Sequence, residues 1–144
     1  MRLSSFDTLF ARLALGIGFL SAVADRFGLW GASGETNVAW GNFESFAAYA
    51  AKLNPWAPAA LMPAVAWTAT IAEIVLGFLL LVGWQTRRAA FASGALLLLF
   101  ALGMTAGTGI KTAFDASVFA ASALGFLLST RKSFPLSLDA RSAR

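Results

Sequence analysis

The chain has 144 residues, enough for one domain, and it is 58% hydrophobic and only 12% charged, against roughly 25% charged in an ordinary soluble domain. Its 11 basic and 7 acidic residues are scattered between apolar segments, with no basic run interleaved with aromatics, so nucleic acid is not an expected partner. The absence of Cys and His excludes a disulfide, a thiol relay, a Cys- or His-held haem or iron–sulfur cluster, and a His-dependent triad. The acids form no ligand cluster, so no bound metal is expected.

The segment lengths predict an all-α protein, a four-transmembrane-helix bundle with a short interfacial helix between the first two spans. Residues 1–132 make the membrane domain, with spans at about 6–29, 61–84, 89–110 and 112–130. The first span is interrupted by Asp7, Arg12, Asp25 and Arg26. Ala22-Val23-Ala24 mimics a signal-peptide cleavage site, but Arg12 breaks the apolar region such a peptide needs, so retention is expected. The external segment 31–60 carries Asn42 as a helix cap, with the helix expected to end before Asn54-Pro55. Phe43, Phe46, Ala50 and Leu53 share one face of that helix, opposite Glu44 and Lys52, and Trp30, Trp40 and Trp56 flank it. This pattern reads as an interfacial anchor; a lid over a pocket is the sharper alternative.

The second span is broken only by Glu73, and the short polar link after it places the second and third spans antiparallel and adjacent. The third span is free of charge from Ala89 to Ile110. Thr112 and Asp115 resemble a capping box at the start of the fourth span. Asp115 is then either a cap and dipole partner or a functional acid. Residues 133–144 read as a mobile cytoplasmic tail. Arg2, Arg87, Arg88, Arg131, Lys132, Arg141 and Arg144 fall on one side, and Arg26, Lys52 and Lys111 on the other. The bias puts the N- and C-termini in the cytoplasm.

Arg12 and Glu73 need an explanation, since each costs about 2.5–3.5 kcal/mol at mid-helix on insertion scales. Depths counted along the two antiparallel helices allow them to meet. Such a pair either fixes the register of two helices or forms a ligand or proton site. Asp25 and Arg26, at the outer end of the first helix, can reach water; they line a mouth above the pair or form a solvated helix end. Gly16, Gly18, Gly77, Gly103 and Gly107 point to close helix packing, with Gly77 also able to admit a flat ligand beside Glu73.

Arg12-Leu13-Ala14-Leu15-Gly16 with Phe19, then Glu73-Ile74-Val75-Leu76-Gly77, Leu79 to Leu81, Gly83 and Thr86-Arg87-Arg88-Ala89-Ala90 resemble the DoxX family of small bacterial membrane proteins. Ala24 to Gly31 is similar to the outer end of the first helix in one branch of that family, and the likeness runs over nearly the whole chain. The resemblance implies a four-helix bundle in the bacterial inner membrane. Some relatives are linked to quinone-coupled oxidation or to redox complexes with detoxifying partners.

The leading expectation is therefore a membrane subunit in redox or stress metabolism with a quinone as the candidate cofactor. Arg12 and Glu73 orient or protonate its head group, and Phe19, Trp67 and Gly77 shape the walls. The lipid bilayer, a redox partner and further copies of the chain are the expected partners. A small proton-coupled transporter using Glu73 and a purely structural membrane partner are the alternatives.

Overall fold

A computed structural model describes residues 5–142; Arg2 and Arg144, counted above for orientation, lie outside them. Among the described residues the regular elements are all helices, with no strand. Helix α1 spans Ser5–Arg26, α2 Phe43–Leu53, α3 Met62–Val82 after a single 3-10 turn, α4 Thr86–Thr108, α5 Ile110–Asp115, α6 Val118–Ser129 and α7 Leu138–Ser142. Three apolar stretches, Ser5–Arg26, Ala59–Val82 and Thr86–Thr108, are long enough to cross a membrane. They are compatible with a membrane-embedded protein.

The direction in which side chains face strengthens that reading. The buried stripe of α3 is Met62, Ala66, Thr70, Glu73, Gly77 and Leu80, while Ile71, Val75 and Phe78 are exposed. On α4, Ser93, Gly94 and Ala101 are buried and Phe91, Leu99 and Leu102 are exposed. Small and polar groups lie inside and large apolar groups outside. Water would penalise so much exposed apolar surface, whereas lipid does not.

Two antiparallel pairs, α1 with α3 and α4 with α6, make the most extensive contacts. Glycines set both crossings. A Cβ at Gly16 would lie 3.1 Å from the Gly77 carbonyl, and one at Gly125 would lie 2.7 Å from the Gly94 amide. The Ser122 hydroxyl donates to the Gly94 carbonyl at 2.7 Å beside the second crossing. Gly107 is covered instead by the end of α2, with Leu53 Cα at 2.6 Å from a Cβ placed there.

The fourth expected span, 112–130, is not one helix. Ser117, at φ 55°, breaks it into α5 and α6. The 12 residues of α6 are about 18 Å long, short of a hydrocarbon core of about 30 Å. No capping box forms. Thr112 donates to the Thr108 carbonyl, and Asp115, at the end of α5, forms an exposed ion pair with Lys111.

The segment read as a mobile tail is docked. Phe134 is buried with Leu15, Phe19, Leu80 and Leu128. Asp139 accepts the Gln85 amide at 2.8 Å and the Thr86 amide at 2.7 Å, and its own amide donates to the Gly83 carbonyl. Helix α4 has no side-chain cap of its own, so Asp139 supplies one from far along the chain. Gly83, at φ 70°, ends α3 in the left-handed conformation that glycine adopts at least cost, and Arg12 and Ser137 crowd the same spot. The α3–α4 link and these residues form the tail end of the bundle; α2 marks the opposite end.

Candidate functional site

Glu73 pairs with Arg26, not with Arg12. The Gly16–Gly77 contact explains the choice. At that register of antiparallel helices, Glu73 is level with Leu20, six residues or about 9 Å from Arg26 and eight residues or about 12 Å from Arg12. Side chains on a helix also lean toward its N-terminus. Arg26 leans back toward Glu73 and Glu73 leans toward Arg26, whereas Arg12 leans away, to the tail end. There its Nη1 donates to the Pro135 carbonyl at 3.1 Å and its Nη2 to the Leu136 carbonyl at 2.7 Å.

Asp25 and Arg26 are not a solvated helix end; they are 7% and 2% exposed. Asp25 accepts three successive backbone amides, from Ala39 at 2.9 Å, Trp40 at 2.8 Å and Gly41 at 2.9 Å. It thereby holds the loop that leads into α2. Arg26 donates to the Thr70 hydroxyl at 2.9 Å, and its guanidinium carbon lies 3.6 Å from the centre of the Phe46 ring. The face of an aromatic ring stabilises a desolvated cation. Glu73 is 3% exposed and pairs through its Oε2 with Arg26 Nη1, while the Arg26 Nε has no hydrogen-bond partner among the described residues.

These groups border a cavity of about 600 Å³. Helix α2 covers it with Phe46, Tyr49, Ala50 and Leu53; Val65, Ala69 and Glu73 of α3 face Leu97, Phe100 and Met104 of α4. Ala116 and Val118, on either side of the break in the fourth element, complete the wall. The break between α5 and α6 thus faces the cavity. The volume falls within the 300–1,000 Å³ typical of small-molecule sites. An apolar enclosure with one ion pair in its wall can seat a largely apolar molecule and offer one charged contact to its polar group.

Helix α2 follows the expected boundaries. Asn42 accepts the Ser45 amide at 2.8 Å, and Phe46, Ala50 and Leu53 are buried. Of the residues expected to hold a ligand, only Glu73 borders the cavity. Phe19 is packed in the tail-end core. Trp67 stacks on Phe43 at 4.3 Å, half-exposed outside. Gly77 is closed over by Gly16 and Leu20. Trp40, expected in an aromatic belt, is edge-on to Phe46 at 5.2 Å and lines the cavity. The ring cluster over Arg26 was missed, although the apolar face of α2 already signalled it.

No family model, no curated protein and no solved structure matches the chain.

Proposed function

We propose that this chain is a DoxX-like integral membrane protein that binds an apolar ligand with a polar head group, of the quinone class, beneath α2. It crosses the bacterial inner membrane four times, its last pass in two pieces, and serves a redox or stress complex. The observation that carries the reading is the buried Arg26–Glu73 pair in the wall of an apolar cavity. A ligand carbonyl or hydroxyl oxygen suits the unpartnered Arg26 Nε beside the pair. Cytoplasmic termini are supported by the grouping of Arg87, Arg88 and Arg131 at the tail end, where Arg87 donates to the Arg131 carbonyl.

Native mass spectrometry of protein purified in mild detergent tests the proposal. A quinone retained by the wild type and lost from Glu73→Gln is the expected result. Wild type free of any small molecule, and indistinguishable from Glu73→Gln, sinks it. A second reading, proton-coupled export of an apolar cation, draws on the charge balance of the α2 end. Asp25 and Glu73 there outnumber Arg26, so a cationic ligand offsets the surplus. Flux of such a cation into proteoliposomes driven by a pH gradient separates the two readings.

A further inference from the structure

A second space adjoins the cavity beneath α2. This apolar hollow, of about 690 Å³, lies between α3 and α4, and Leu53, Asn54, Val65, Ala69 and Phe100 border both spaces. Small residues keep it open: Ala64, Thr68 and Ala72 on α3 face Gly103 and Ala106 on α4. Leu99 and Leu102 flank it and are 65% and 52% exposed, on helices long and apolar enough to cross a membrane. The hollow therefore lies between the cavity that holds the ion pair and the surface where acyl chains, not water, are the expected surroundings.

A polar contact at one end and an open apolar groove at the other define a molecule with a head and a tail. We propose that the ligand carries a long hydrocarbon tail, that it enters from the bilayer between α3 and α4, and that its tail stays in that groove. This rests on the ligand reading above and adds the tail and the route. The cover formed by α2, with Phe46, Ala50 and Leu53 turned inward, closes the direct path from outside. Ala72 and Ala106 border the groove but not the cavity, so tail and head can be obstructed separately.

The test uses the full chain in lipid nanodiscs and two probes, dimethoxy-methyl-benzoquinone and the same head bearing a decyl chain. Equilibrium binding is followed by quenching of tryptophan fluorescence. Ala72→Phe and Ala106→Phe, made separately in case one fails to fold, should weaken the decyl probe by about tenfold or more, one decade in the equilibrium constant. The tail-less probe should bind both variants as it binds wild type. Equal wild-type affinity for the two probes, or decyl binding unmoved in both variants, overturns the tail and route while leaving the head site standing. Binding of neither probe to wild type overturns the ligand reading and this inference together. A fall in oligomer mass in either variant assigns the groove to a second copy of the chain, and overturns it too.

Discussion

At its tail end the bundle buries Arg12 beside Asp139; at the α2 end it buries Arg26 beside Asp25 and Glu73. Each end uses an aspartate to gather backbone amides, Gln85 and Thr86 in one case and Ala39, Trp40 and Gly41 in the other. The arginines differ. Arg12 spends its donors on two backbone carbonyls and closes the core around Phe134. Arg26 pairs directly with the Glu73 carboxylate, and that pair lies in the wall of a cavity. The same pair of residue types thus closes the core at one end and lines a cavity at the other.

Truncating the two arginines tests this contrast most severely. Arg26→Ala strands Glu73 as an unpaired buried charge, an expected loss of about 3–5 kcal/mol, and Glu73→Gln in the same chain should restore much of it. Arg12→Ala removes charged hydrogen bonds to carbonyls and should cost about 1.5–3 kcal/mol, with no rescue by Glu73→Gln. Unfolding in SDS titrations followed by circular dichroism measures both; rescue of the Arg12 variant by the Glu73 change would dissolve the distinction between the ends.

Asp139 offers a smaller effect with a definite sign. Burial opposes its ionisation, but hydrogen bonding from Thr86 and Gln85 and the Arg12 charge outweigh that and hold its carboxyl below the ordinary range. A depressed folded-state value means the stabilisation is complete above the unfolded value, about 3.9, and is lost as pH falls through the lower folded one. Asp139→Asn should cost about 1 kcal/mol at neutral pH and lose this acid dependence. A variant whose unfolding midpoint falls on acidification as steeps as wild type's would refute the assignment. Smallest of all, Lys111→Ala at the exposed pair with Asp115 should shift stability by less than about 0.5 kcal/mol; a larger loss in the same titration would mean the α5 corner supports the cavity.

Some of the elements behind this contrast were visible in the residues before the fold, though the contrast itself was not. Asn42 and Asn54 bracketed α2 because capping chemistry is local. Arg12 was expected inside the bundle, but Arg26 was read as reaching water; both lie on the buried stripe of α1. The partner of Glu73 was not legible from depth alone, since it depends on the Gly16–Gly77 register and on the lean of side chains along each helix. The break at Ser117 carries neither Gly nor Pro to announce it, and its left-handed backbone is settled by tertiary packing. The docking of Phe134 and Asp139 was hidden for a similar reason. A short segment of mixed polarity looks like a free tail until its contacts with Gly83 and Arg12 are known.

The bond from Arg12 to Leu136 spans 124 positions of the chain, and that separation governs the order of biogenesis. Arg12 is synthesised 124 residues before Leu136, whose carbonyl holds it. Helices α2 to α6 are made in between, so Arg12 reaches its final partners only after all of them exist. The seating of α1 at the tail end is therefore a late step of folding, completed when residues 135 and 136 arrive.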